Sequence, residues 1–341
     1  KNLLSTMLFF YFLVVCMPIH AHHGGVSTAF GPGAPIETAS PMTLGKRTFL
    51  LYERIEYVPF RSRDSAEPEN IDTFTFFNTL AGFGLTDALS LYLTMPAVIK
   101  EQDSLGKSRG IGDLEFMAQY GFKYGERDGI RGFYQNGQED TQGARYTMDD
   151  LKMSLTGSIS VPTGTTSNRD DFGNKFDMGM QPGFGEPSYS MGFSASRLMF
   201  SHFTLTSDTS FRTFSKHNDS KAGNEIRFNM AGGYEVLEKQ DSFLTRLDII
   251  AEANSLHLTK DQGEDGETDH DSGGTILYLS PGFRASFGNH VSIGALMKIP
   301  AWQDLNNEHD QQGSEGLEDY REIMTLTVRI ECTRAMYSLI F

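Results

Sequence analysis

From Leu89 onward the residues Leu91, Leu93, Met95 and Ala97 stand at every second position, with Ser90, Tyr92 and Thr94 between them. A two-residue period places successive side chains on opposite faces of a strand, one apolar and one polar. The pattern recurs along most of the chain. Alternating segments read as Thr48–Phe60, Asp72–Leu85, Leu89–Ile99, Asp113–Tyr124, Leu151–Val161, Glu186–Met199, Phe203–Phe214, Glu225–Val236, Ser242–Leu256, Thr275–Phe287, Val291–Ala301 and Arg321–Cys332. No stretch carries a convincing helical period. Each segment has the length of a tilted strand that crosses a bilayer with some rim to spare.

The polar faces carry charges at central positions. In Ser242–Leu256, Phe243, Leu247, Ile249 and Ala251 oppose Arg246, Asp248, Glu252 and Asn254. The chain holds no leftover apolar layer to cover twelve greasy faces, so those faces are expected to meet lipid. Backbone groups in lipid must be satisfied internally, which requires the sheet to close. The predicted fold is an all-β, closed antiparallel transmembrane barrel of about twelve strands in meander order.

The connections support this. Thr86–Ala88, Phe200–His202, Glu238–Asp241 and Gly288–His290 are tight, whereas Arg61–Ile71, Lys100–Gly112, Pro162–Gly185, Ser215–Asn224, Thr259–Gly274 and Gln303–Tyr320 are long. Short turns on one side and long loops on the other is the layout of outer-membrane barrels. Gly125–Asp150 breaks the rule and reads as an insertion. A weak repeat accompanies the layout. Three outward-running strands end on Met95-Pro96-Ala97, Val161-Pro162-Thr163 and Ile299-Pro300-Ala301, and inward-running strands open on GIGD (Gly110–Asp113) and GFGE (Gly183–Glu186).

Charge and cysteine content narrow the classes further. With 44 acidic against 29 basic side chains, the formal charge of −15 argues against a nucleic-acid partner. Cys16 and Cys332 provide neither a disulfide framework nor a Cys-based zinc site. The first 21 residues read as an export signal, with Lys1, an apolar stretch from Leu8 to Met17 and Ala21 at the cut. Residues 22–47 follow as an irregular Gly/Pro-rich periplasmic lead, and 48–341 as the barrel in the bacterial outer membrane.

The piece GIGDLEFMAQYGFKYG, the following LTGSISVPTG and the twelve-strand spacing resemble the outer-membrane family called MetA-pathway of phenol degradation, over about Leu44 to Cys332. The resemblance implies a small barrel that passes hydrophobic or aromatic compounds. The chain departs from the family in the Gly125–Asp150 insertion and at its end. There Tyr337, Leu339 and Phe341 alternate but slip phase near Thr333, so 333–341 is either the end of the last strand behind a bulge or an appendage.

No constellation of catalytic groups emerges, and the chain reads as a non-enzyme without cofactor. The histidines fall in the lead (His20, His22, His23), in turns (His202, His290), in loops (His217, His270, His309) or at a strand end (His257), none beside a serine and an acid in mid-strand. His22-His23 at a new N-terminus has Cu or Zn chemistry available, but a plain tail is the preferred reading. Asp261–Asp271 has carboxylates for Ca²⁺ without the spacing of a defined loop. The candidate site is therefore the lumen. Arg54, Glu56, Glu115, Lys123, Lys152, Asp208, Arg212, Arg227, Glu235, Arg246, Asp248, Glu252, Arg284 and Lys298 are predicted to line it. The expected function is an outer-membrane channel or transporter for small molecules, hydrophobic or aromatic ones among them, through a polar charged lumen. Its expected partners are outer-membrane lipid and a small-molecule solute. The alternative is a non-conducting barrel that serves as scaffold for a periplasmic or surface protein partner. A soluble exported β-protein is a third reading.

Overall fold

The computed structural model describes residues 34–62, 70–125, 129–132, 150–216, 221–239, 242–262, 267–268, 270, 272–306 and 318–331. The export signal, the His22-His23 lead and the tail 333–341 lie outside the described residues, as does most of Asp261–Asp271. The strands are β1 Thr48–Pro59, β2 Ile71–Gly84, β3 Leu89–Gln102, β4 Gly106–Ile111, β5 Leu114–Gly125, β6 Gly129–Gly132, β7 Asp150–Val161, β8 Ser188–Phe200, β9 Phe203–Phe214, β10 Glu225–Glu238, β11 Arg246–Leu258, β12 Gly274–Phe287, β13 Val291–Leu305 and β14 Arg321–Glu331. Among the described residues the helical pieces are two single 3-10 turns, Asp103–Leu105 and Met178–Met180.

All strands pair antiparallel in chain order. β1 joins β14, with Arg54 opposite Thr325, and β3 joins β5, with Leu89 opposite Tyr120, so twelve long strands form a closed ring. Closure pairs every long strand on both sides, with β4 and β6 covering the ends of β3 and β5 that do not meet each other. β3 is paired twice: Leu89–Thr94 with β5, and Ala97–Gln102 with β4. β4 and β5 thus act as one strand broken at Gly112-Asp113. β6 adds to the end of β5 at the short-turn side, inside the insertion read between Gly125 and Asp150.

The burial pattern is that of a barrel turned inside out. Along β1, Thr48, Leu50, Tyr52, Arg54, Glu56 and Val58 are buried, while Leu51, Ile55 and Tyr57 are exposed. The outer wall shows Leu93, Phe116, Leu155, Phe193, Phe228, Ile249, Leu279 and Met324. An exposed apolar surface of this extent marks a lipid contact rather than a water contact. Tyr57, Tyr189 and Trp302 are exposed towards the long-loop end, and Tyr124, Phe200, Tyr234 and Phe243 towards the short-turn end, as interfacial aromatic girdles require.

Two of the three prolines read as strand ends lie inside strands instead. Pro96 sits in β3 where pairing switches from β5 to β4, and Pro300 sits in β13 beside a register shift at Leu277/Tyr278. A proline has no N–H for the ladder, so it settles where the ladder is already interrupted. Pro162 directly follows β7 as expected. The long link read as Lys100–Gly112 is a hairpin, because β3 continues to Gln102 and turns through Asp103–Leu105 into β4.

Leu279 is 53% exposed on the outer wall, midway along β12. Leu279→Arg is expected to destabilise the folded barrel by about 2–4 kcal/mol in lipid vesicles, measured by denaturant unfolding. Serine at the inward neighbour Ser280 exchanged for threonine is expected to leave that value nearly unchanged.

The plugged lumen as candidate functional site

A ring of twelve strands encloses more space than side chains from the wall must fill. Here the chain itself fills part of it. Residues 34–45 carry no strand, as the sequence suggests, but they do not hang below the barrel: they run inside it. The reason is electrostatic. Inward carboxylates and guanidinium groups in an enclosed space need partners, and the backbone of this lead supplies them.

From β1 the segment enters at the short-turn rim. Arg47 N–H donates to Gly84 O (2.8 Å), Lys46 N–H to Asp87 Oδ1 (2.8 Å) and Leu44 N–H to Ser90 Oγ (2.8 Å). Deeper in, Gln119 Nε2 donates to Ser40 O (2.8 Å), and Ala39 N–H donates to Asp208 Oδ2 (2.7 Å). At the apex, midway along β11, the Glu252 carboxylate gathers four donors from the plug, beside Asn254 Nδ2 of its own strand (3.5 Å). The four are the N–H groups of Ile36 (2.7 Å), Glu37 (3.1 Å) and Thr38 (2.7 Å), and Thr38 Oγ1 (2.6 Å). The segment then turns back, and Arg284 near the short-turn end of β12 donates to Ala34 O (2.9 Å) and Pro35 O (2.8 Å). Ile36 packs with Ile250, Leu296 and Ile323, and Leu44 with Leu50, Tyr52, Leu80 and Tyr92.

Glycines make room for this plug. A Cβ on Gly84 would lie 2.0 Å from Gly45 O, and one on Gly294 would lie 3.0 Å from Ile36 Cδ1. At the other end of the barrel the link from Pro162 to Pro187 folds inward. Asp113 accepts from Gly164 N–H (2.9 Å) and Phe184 N–H (2.7 Å), so GIGD, VPTG and GFGE meet at one carboxylate. Lys100 Nζ donates to Gly179 O (2.5 Å) and Gln181 O (3.1 Å). Beneath this link Phe176 and Met180 pack on Val58, Phe60, Phe74, Phe76 and Val98, forming an apolar layer near the long-loop end.

The fourteen residues predicted to line the lumen all occupy inward positions of their strands. Most are engaged in ion pairs. Arg54 meets Glu56 (2.6 Å), which also meets Arg321 (2.9 Å). Arg212 meets Glu115 (2.9 Å), Arg227 meets Glu225 (2.9 Å), and Arg246 meets both Asp248 (2.7 Å) and Glu235 (2.8 Å). Lys123 pairs with Asp150 (3.2 Å) at the short-turn end, and Lys152 is buried below Ser154 on β7. Asp208, Glu252 and Arg284 hold the plug as described. Lys298 (2.9 Å) and Arg54 (2.5 Å) converge on Glu37.

Glu37, Lys100, Asp113 and Gln119 did not figure among the expected lining. Glu37 had a signal: it is the one charged residue between Gly24 and Gly45. Beside the plug a cavity of about 100 Å³ remains, bordered by Glu115, Thr156, Ser190, Ser210, Arg212 and Arg227 on the β5–β10 wall and by Glu37 and Ala39 on the plug.

Glu252→Ala removes the acceptor of four hydrogen bonds from the plug, each of the charge-assisted kind worth about 1.5–3 kcal/mol. A cysteine at buried Ser40 is expected to react with a membrane-impermeant thiol reagent at least about tenfold faster in the Glu252→Ala background than with Glu252 intact, tenfold corresponding to about 1.4 kcal/mol. Equal rates would show that Glu252 does not hold the plug.

The fold recurs in known proteins. An outer membrane channel from Pseudomonas putida F1 superposes with a TM-score of 0.60 at 10% identity, over 87% of this chain and 100% of that one. The NanC porin (TM-score 0.42, 6% identity, 83% and 100% coverage) and OmpT of Vibrio cholerae (0.35, 11%, 84% and 100%) lie further off. No curated protein matches in sequence. The profile of one family spans residues 70–300, more than half of the chain, and this protein therefore belongs to the family described as MetA-pathway of phenol degradation.

Proposed function

We propose that this protein is an outer-membrane channel whose short turns face the periplasm, and whose solute passes the slot between plug and wall. The observation that carries this reading is the plug itself. It is the chain's own lead, held in a polar lumen by noncovalent contacts to a few side chains, with a cavity already open along one flank. A barrel that needed only a solid interior would gain more from a continuous apolar core than from buried ion pairs, which return little net stability. Family membership and the shared fold of an outer membrane channel support the same reading.

The geometry bears on the solute. A hydrophobic or aromatic compound entering from the long-loop end would first meet the Phe74–Phe76–Phe176 layer. Past that layer the way narrows between hydroxyl groups and ion pairs, where a purely apolar solute would strip water from charges without replacing it. The lumen therefore suits small molecules with their own hydrogen-bonding groups. The scaffold reading draws on the closure of both ends, and conductance separates the two.

Deletion of residues 34–44 is expected to raise single-channel conductance in planar bilayers several-fold over the full chain. Silence of both proteins, each shown to be folded by heat-modifiable migration on a detergent gel, would remove the channel and leave the scaffold.

A further inference from the structure

Glu37 is bound as a small ligand would be bound. Its carboxylate sits between Arg54 Nη2 (2.5 Å), Lys298 Nζ (2.9 Å) and Arg227 Nη1 (3.8 Å), from strands β1, β13 and β10, which converge from different sides of the ring. Its side chain is 6% exposed. Its own backbone N–H donates to Glu252 Oε1 (3.1 Å), and the next residues present N–H groups to Glu252 and, through Ala39, to Asp208. Glu37 thus offers an anion to a cationic socket and a donor to the Glu252 carboxylate. The cavity opens against it.

When the plug withdraws, Lys298, Arg54 and Arg227 lose a shared anion, Glu252 loses four donors and Asp208 loses the Ala39 N–H, while Arg54 keeps Glu56, Arg227 keeps Glu225 and Asp208 keeps Asn229, all within an enclosed space. Uncompensated buried charge is costly. A free solute with a carboxylate and an ammonium group would restore both sets of contacts, whereas chloride restores one and a neutral solute neither. We propose that this socket is a binding site for small amino-carboxylate zwitterions, and that Glu37 is a tethered stand-in which the solute must displace. The inference rests on the channel reading for its transport meaning, but the binding site has its own test.

A group tethered by a short flexible segment competes at an effective concentration in the millimolar range. Removing its charge should therefore expose the site. The full chain and its Glu37→Gln variant are compared in planar bilayers, with L-glutamate as probe and succinate as the control lacking an amine. Glu37→Gln is expected to shift selectivity towards chloride over potassium, and glutamate is expected to block its current at concentrations at least about tenfold lower than for the full chain. Lys298→Gln in that background is expected to weaken the block about tenfold, and succinate to block less well than glutamate. Equal block of the full chain and Glu37→Gln, or no effect of Lys298→Gln, would overturn the site. Equal block by succinate would overturn the amine requirement. If neither protein conducts, calorimetric titration of glutamate into detergent-solubilised Glu37→Gln decides the matter. Binding lost in the Lys298→Gln double variant would uphold the site while the channel reading falls, and no binding would end both.

Discussion

Closure of the sheet between β3 and β5 is the constraint on which the rest depends. An outward face of Leu, Ile, Phe and Met cannot remain in water, and an open edge cannot remain in lipid. Once the ring is closed, every other feature is a consequence of what has been trapped inside it. Twelve strands are too many for wall side chains to fill the interior and too few to leave a wide bore. The inward positions therefore carry charged and hydroxyl groups at close quarters, each of which needs a partner.

The wall alone does not provide those partners. Glu56 with Arg54 and Arg321, or Glu235 with Arg246 and Asp248, are satisfied strand to strand. Glu252, Asp208 and Arg284 are met only in part by Asn254, Asn229 and Ser292 of the wall, and their other contacts reach the backbone of residues 34–39. A lead segment with free N–H and C=O groups is the complementary material. It carries two prolines, Pro35 and Pro41, and small residues that keep it from pairing as a thirteenth strand. The narrow places it passes are opened by Gly84 and Gly294. Plug and wall are therefore two halves of one polar network.

The strands were legible because their period is two and because one face had to be greasy throughout. β9 and β12 begin and end within a residue of where the alternation places them, and the inward charges follow from the same parity. Register strengthens this, since a slip by one residue would turn Arg227 or Asp248 into the lipid. β4 and β6 were not legible. GKSRGI and GIRG are short, glycine-bounded and charged, and each exists only because a longer neighbour offers a free edge. The course of residues 34–45 was also hidden. Irregular backbone has no period, and its position is set by side chains more than two hundred residues away, as in Thr38 with Glu252. GIGD directly precedes β5 and GFGE lies just before β8, and in addition Asp113 of the first accepts from Phe184 of the second and from Gly164 of VPTG.

The two closures of the lumen differ in chemistry, and that difference bears on which one moves. Near the long-loop end the inward link is held by an apolar layer, Phe176 and Met180 against Phe74, Phe76 and Val98, as well as by Asp113 and Lys100. Freeing it would expose apolar surface to water, a cost that solutes do not offset unless they are themselves apolar. The plug buries Ile36 in the mid-lumen and Leu44 nearer the short-turn rim, and its other contacts in the mid-lumen are hydrogen bonds and ion pairs. A hydrophilic solute can replace those polar contacts, so the net change on release is smaller than the gross strength of the bonds. On the proposed channel reading, charge-rich anchoring makes the short-turn closure the exchangeable one and leaves the long-loop link as the fixed part of the passage.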